Sequence, residues 1–106
     1  MKRVMVRYRV KPGRVAENEA LVRAVYEELH RVAPEGLRYA TFRLADGVSF
    51  VHVASTETAA DRNPLTEIEA FARFQEAIGE RCDEPPAVTE LTEVGSYRLL
   101  DDEAVR

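Results

Sequence analysis

Two histidines, four tyrosines and one cysteine are the side chains of this 106-residue chain best suited to move protons or electrons. His52 stands in an alternating run, Ser49-Phe50-Val51-His52-Val53-Ala54-Ser55. An imidazole titrates near neutral pH, which is what a general base needs. His30 falls near the end of a helical segment, where a cation suits the helix dipole and no chemistry is implied. The two histidines are too far apart, and too poor in neighbouring cysteines or spaced carboxylates, to hold a metal. Arg7, Arg9 and Arg43 carry guanidinium forks that could clamp a carboxylate or phosphate. Pairing with acids such as Glu90 or Glu93 across a subunit boundary is the simpler use for them. Cys82 stands alone, so it forms no internal disulfide and suits a reducing cytoplasm; at a helix end it is not a reactive thiolate. Tyr8 remains as the catalytic candidate, a phenol that must find a hydrogen-bond partner if it is buried. No glycine-rich phosphate loop marks a nucleotide or flavin site, and the expected cofactor is none.

Composition narrows the class further. Charged residues make up 32% of the chain and hydrophobic ones 45%, as in an ordinary globular domain. A net charge of −4 gives no field to draw the chain to nucleic acid or an anionic membrane. No apolar run approaches the roughly 20 residues of a membrane span, and Met1-Lys2-Arg3 leads straight into an alternating segment, unlike a signal peptide. The expectation is one domain over 1–106, ordered from about 3 to 100, with a polar tail at 101–106.

The elements that must position these residues follow from periodicity. Val4, Val6, Tyr8 and Val10 alternate with Met5, Arg7 and Arg9 as a first strand, ended by Pro12-Gly13. From Arg14 to Val32 the spacing of Val15, Val22, Val25, Leu29 and Val32 makes one stripe of an amphipathic helix, stopped by Pro34-Glu35-Gly36. Leu37–Leu44 and Val48–Ser55 read as a hairpin about Asp46-Gly47, a pair that tolerates the positive φ of a tight turn. A polar loop runs from Thr56 to Leu65. Thr66-Glu67-Ile68-Glu69 reads as a capping box opening a second helix whose stripe is Ile68, Phe71, Phe74 and Ile78. A last strand runs from Thr89 to Leu100 with Gly95 as its bulge.

This β-α-β-β-α-β order predicts an α+β, ferredoxin-like fold, a four-stranded antiparallel sheet with two helices on one face. Placing Val4, Val6, Tyr8, Phe42, Leu44, Val51 and Val53 toward the helices leaves Met5, Arg7, Arg9, Tyr39, Thr41, Arg43, Val48, Phe50, His52 and Ala54 on the bare face. A half-apolar face of that kind marks a protein–protein surface. Arg7, Arg9, Tyr39, Arg43, Phe50 and His52 are thus expected at a homodimer interface, with Phe50 near its middle.

Several segments carry a resemblance to a known family. They are the opening strand and turn Val4-Met5-Val6-Arg7-Tyr8-Arg9-Val10-Lys11-Pro12-Gly13, the helix exit Ala33-Pro34-Glu35-Gly36-Leu37, the third strand from Ser49 to Glu57, and Ile68 to Ile78. Over roughly 3–100 the chain resembles the antibiotic biosynthesis monooxygenase group of the dimeric α+β barrel proteins. The resemblance implies a barrel closed by two sheets, a pocket between sheet and helices of each subunit, and cofactor-independent oxidation of quinols or polyketide phenols. Members that break down haem use a second-helix His, which this chain lacks. Active members often place Trp at the end of the third strand with Asn or His nearby; the matching position here is Ser55 or Thr56, and the chain has no Trp.

Two readings follow. In one, the chain is a cofactor-independent oxygenase with an apolar pocket of Tyr8, Phe42, Val51, Ser55, Phe71 and Phe74, in which Tyr8 or Tyr26 helps form the substrate anion. In the other, it is a non-catalytic dimer that binds a small aromatic molecule or stabilises an assembly.

Overall fold

The computed structural model describes residues 2–57 and 63–99. Strand β1 (Lys2–Val10) leads through a 3-10 turn at Pro12–Arg14 into helix α1 (Val15–Val32). Strands β2 (Leu37–Arg43) and β3 (Ser49–Thr56) follow, then a 3-10 turn at Pro64–Glu67, helices α2 (Glu69–Gln75) and α3 (Ile78–Arg81), and strand β4 (Cys82–Glu90). The sheet has the order β2-β3-β1-β4 with every neighbouring pair antiparallel, and the helices cover one face. This is the α+β ferredoxin-like arrangement expected from the element order. Among the described residues no helix is long and apolar enough to cross a membrane.

The hairpin forms as its turn residues dictate. Gly47 takes a φ of +81°, where a Cβ would be strained. The Asp46 carboxylate accepts from Val48 N at 2.9 Å, Ser49 N at 2.8 Å and Ser49 Oγ at 2.6 Å. Those bonds, the Ser49 hydroxyl's first, hold its pKa down at about 2.

Three expectations need correction. The phase of β2 and β3 is opposite to that expected. Tyr8 stands across from Phe50, and Val6 across from His52, so these side chains share the helix-covered face. Thr41 pairs with His52, Tyr39 with Ala54 and Arg43 with Phe50, which carries Tyr39, Thr41 and Arg43 to the same side. Phe42, Val51, Val53 and Ser55 therefore lie on the open face with Met5, Arg7 and Arg9. Phe50 is 2% exposed and Phe42 45%, the reverse of the expected burial. The run Phe50-Val51-His52-Val53-Ala54 offers apolar residues in both phases. The all-valine phase looks more core-like, but the polar side chains of the other phase satisfy one another once buried.

The second helix does not start with a capping box. Thr66 Oγ1 donates to the Asn63 carbonyl at 2.8 Å, and helix proper begins at Glu69. Its first amides are capped from another element: the Glu28 carboxylate of α1 accepts from Ala70 N at 2.8 Å and Glu69 N at 3.2 Å. These bonds lower the Glu28 pKa. The apolar stripe is as expected, with Ile68 and Phe74 buried and Phe71 and Ile78 packed against them. Ala77, at φ +58°, breaks the segment into α2 and α3.

The last strand is Cys82–Glu90, not Thr89–Leu100. Its Pro85-Pro86 pair falls at the register shift where Arg7 pairs with Ala87 but Arg9 with Glu84. Proline lacks the ladder donor and is tolerated here because β4 is an edge strand and the ladder is already bulged. The bulge is thus at the prolines, and Gly95 lies beyond the strand. Positions 58–62 of the expected loop, Leu100 and the tail 101–106 lie outside the described residues.

Candidate functional site

A chain of polar groups, buried at Arg81, Asn18, Tyr8 and His52 and half-buried beyond, crosses the layer between sheet and helices. It starts at Arg81, 2% exposed, whose guanidinium donates to the carbonyls of Phe74 at 2.7 Å and Glu76 at 3.2 Å, closing the C-terminal end of α2. Arg81 Nε also donates to Asn18 Oδ1 at 3.2 Å. Asn18 Nδ2 donates to Tyr8 Oη at 3.0 Å, and Tyr8 Oη lies 2.8 Å from His52 Nε2. On the far side of the imidazole, Nδ1 is 2.7 Å from Tyr39 Oη and 3.1 Å from Thr41 Oγ1, and Thr41 Oγ1 is 2.7 Å from Tyr26 Oη. Five elements contribute: α3, α1, β1, β3 and β2. Strand alternation aims Tyr8, His52, Tyr39 and Thr41 at the helices, and the helical period brings Asn18 and Tyr26 over them.

Aromatic rings encase this chain. Tyr8 stacks on Phe50 with centroids 5.6 Å apart and planes 12° from parallel. His52 lies 5.3 Å from Phe74, and Arg81 sits over the same Phe74 ring at 5.4 Å. Tyr39 meets Phe71 edge-on at 6.4 Å and stacks on Tyr26 at 5.3 Å. Next to the chain a cavity of about 460 Å³ opens between sheet and helices, walled by Leu65, Phe71, Phe74 and Ile78 and reached by Tyr8, Tyr39 and His52. A second groove of about 470 Å³ touches the other end of the chain at Tyr26, Tyr39 and Thr41, with His30 and Pro34 at its edge.

Burial keeps these groups uncharged. It lowers the His52 pKa to about 4, so the imidazole is neutral at physiological pH. Burial pushes the Tyr8 hydroxyl well above the ordinary tyrosine range, with the Asn18 hydrogen bond acting the other way. Tyr39 is raised likewise by burial, and Tyr26 to about 12. The result is an array of neutral phenols, amide and imidazole, with the Arg81 cation at its far end, facing an apolar space. It can orient a polar atom on a flat ligand while the walls exclude water. Among the described residues no cluster of three His, Cys, Asp or Glu could hold a metal.

Of the residues expected in the pocket, Tyr8, Phe71 and Phe74 come together on the helix side of the sheet. Phe42, Val51 and Ser55 do not. Ser55, with Val53, instead lines a cavity of about 780 Å³ on the open face, beneath Leu91, Val94 and Leu99 of the segment after β4. Of the residues expected on the bare face, Arg7 and Arg9 are there and exposed, with Arg9 paired to Glu84 at 3.1 Å on the neighbouring strand. Tyr39, Arg43, Phe50 and His52 are on the opposite side. Arg43 reaches α1 and pairs with Glu19 at 2.7 Å. Cys82 is buried, and burial raises its pKa, so it is no thiolate at neutral pH.

No family model matches the chain, and no curated protein matches it. Solved structures do. An antibiotic biosynthesis monooxygenase superposes with a TM-score of 0.71 at 22% identity, covering 90% of this chain and 100% of that one. Rv0793 from Mycobacterium tuberculosis gives 0.66 at 23%, covering 90% and 96%. NE2512, a protein of unknown function from Nitrosomonas europaea, gives 0.70 at 14%, covering 91% of each chain. The chain shares their fold. The resemblance read from the sequence is therefore matched at the level of architecture, and the site must be judged on its own residues.

Asn18, Thr41 and Arg81 were not singled out as functional by their sequence. Two of them left a signal. Asn18 occupies a position on the α1 stripe between Val15 and Val22, and Arg81 continues the stripe of Phe71, Phe74 and Ile78. A polar residue in register with a buried stripe is a buried polar group in need of a partner.

Proposed function

We propose that the chain takes a small phenol or quinol into the sheet–helix cavity and oxidises it with dioxygen, without a cofactor. What carries the reading is the neutral His52 held between Tyr8 and Tyr39 at the edge of an aromatic cavity of about 460 Å³. A ligand ring stacks against Phe71 and Phe74, and its oxygen meets the Tyr39–His52 end of the polar chain. Conversion of a phenol to a quinone balances without an external reductant. One oxygen atom of O₂ enters the ring, the other leaves as water, and the four electrons come from the substrate. The protein's part is to desolvate the ring, fix its oxygen and leave apolar room for dioxygen. The neighbouring folds that include a monooxygenase are consistent with this reading.

Oxygen uptake with a panel of quinols and phenols tests it. Turnover above the uncatalysed rate is expected from the wild type and a large loss from Ala54→Leu, which places bulk in the cavity lining. Absence of wild-type turnover would leave the second reading, a non-catalytic aromatic-binding protein. That reading is favoured by one observation: burial holds His52 and the three tyrosines of the polar network, Tyr8, Tyr26 and Tyr39, in their uncharged forms. With no Trp in the sequence, quenching of tyrosine emission by a bound quinone reports binding directly.

The same proposal includes a homodimer in a reducing, cytoplasmic setting. The open face carries Met5, Phe42, Val51 and Val53 beside Arg7 and Arg9, and a monomer leaves Phe42 45% exposed. A second copy laid on this face would cover those residues and close a barrel. Light scattering at micromolar concentration should give twice the mass of one chain, and a stable monomer would sink the assembly.

A further inference from the structure

The buried hydrogen bonds have a direction, and it is set at the end farthest from the cavity. A guanidinium carries donors only. Arg81 Nε therefore fixes which end of the Asn18 amide faces it, namely Oδ1, at 3.2 Å. Nδ2 is left facing Tyr8 Oη at 3.0 Å and can only donate to it. Tyr8 still has its own proton to place. The side chain is 2% exposed, so a stranded proton would be costly, and the remaining hydrogen-bond neighbour is His52 Nε2 at 2.8 Å. His52 then accepts at Nε2 and carries its proton on Nδ1, 2.7 Å from Tyr39 Oη. Thr41 and Tyr26 hydroxyls, 2.7 Å apart, engage each other. The opposite tautomer would strand the Tyr8 proton in the core. In this one the proton left over is that of Tyr39, shared between Thr41 and the cavity, since Tyr39 is only half-buried and lines that space.

We propose that Arg81 and Asn18 are positioning residues that lock His52 as the Nδ1–H tautomer, so that Tyr39 faces the cavity as a hydrogen-bond donor and the site selects an anionic or carbonyl oxygen. For a phenol the favoured form is the phenolate, a choice that rests on reading the cavity as an aromatic-ligand site. A buried cation at the head of a donor chain polarises each bond after it, which strengthens the last donor. Arg81 so has two duties, closing α2 and charging the chain, while its own guanidinium stays away from the ligand.

The wild-type imidazole decides the central point. In a two-dimensional ¹H–¹⁵N spectrum, with His30→Gln to assign the second ring, the unprotonated nitrogen of His52 resonates far downfield. It should be Nε2; an Nε2–H imidazole overturns the proposal. Asn18→Asp keeps the shape but replaces the donor with an acceptor, so Tyr8 should donate toward position 18 and His52 should switch to Nε2–H. A folded variant with an unchanged tautomer overturns the role of Asn18. As a ligand probe, 4-nitrophenol titrated across pH should bind the wild type about tenfold more tightly as phenolate than as phenol, an apparent pKa drop of about one unit. Equal or weaker phenolate binding, or none of either form, overturns the selectivity. The two readings fail separately. The expected tautomer and phenolate preference without turnover sink the oxidation and keep this inference, whereas turnover with the wrong tautomer does the converse.

Discussion

The two faces of this sheet solve opposite problems with the same strands. The helix-covered face hides polar side chains: Tyr8, His52, Tyr39 and Thr41 sit among phenylalanines, each in a hydrogen bond. The open face leaves apolar ones within reach of solvent, Phe42 exposed and Val51, Val53 and Met5 half-buried, beside arginines. Hidden polarity costs stability unless every group is partnered, so the first face tolerates almost no change. Exposed apolar surface costs little in a monomer and becomes useful only when something covers it. The difference teaches that hydropathy alone does not tell inside from outside here; the capacity for mutual hydrogen bonding does.

Charge placed on each face is the sharpest way to test the contrast. Phe50→Asp, stacked against Tyr8 in the core, should abolish folding, since an unpaired buried carboxylate costs several kcal/mol. Phe42→Asp should leave the fold within about 1 kcal/mol of wild type by chemical denaturation and act on self-association instead. Equal losses for the two would erase the distinction between the faces.

His52 gives the next effect. Its pKa falls from an ordinary 6.5 to about 4 on burial, so the folded chain binds that proton more weakly than the unfolded one. Its contribution is full above pH 6.5 and fades as pH drops toward 4, by about 3 kcal/mol in all. Denaturation between those limits should show the slope in wild type and lose most of it in His52→Gln. Asp46, held at about 2 against an ordinary 3.8, adds its own loss only in still more acid solution.

Tyr8→Phe strands Asn18 Nδ2 and His52 Nε2, and should cost about 1–3 kcal/mol, whereas the same hydroxyl loss at the exposed Tyr97 should cost nothing measurable. Smallest of all is Ala33→Gly. The α1 cap has φ +49°, a left-handed position that glycine takes without strain, and a gain of about 0.5 kcal/mol in thermal unfolding is expected.

The element order, the hairpin and the α1 stripe were legible because each depends on local signals: period, Asp-Gly, Pro-Gly. Half of the site was legible too, since β1 alternates unambiguously and the Phe71/Phe74 spacing is plain. The β3 phase was not, because Val51 and Val53 compete with Phe50 and His52 for the core, and only the hydrogen-bond partners on other elements decide the contest. Nor was the true β4, whose Pro85-Pro86 reads as a stop in isolation and is allowed only by the bulge at an edge. The caps of α2 come from Glu28 and Arg81, far from where a local motif would place them.

Those borrowed caps have a kinetic meaning. A seven-residue helix does not persist alone in water. α2 keeps its shape only while a carboxylate from α1 grips its leading amides and a guanidinium grips its trailing carbonyls. The same helix carries Phe71 and Phe74, the inner wall of the cavity. Melting the helix and dismantling that wall are consequently a single event, and amide exchange along α2 should report it.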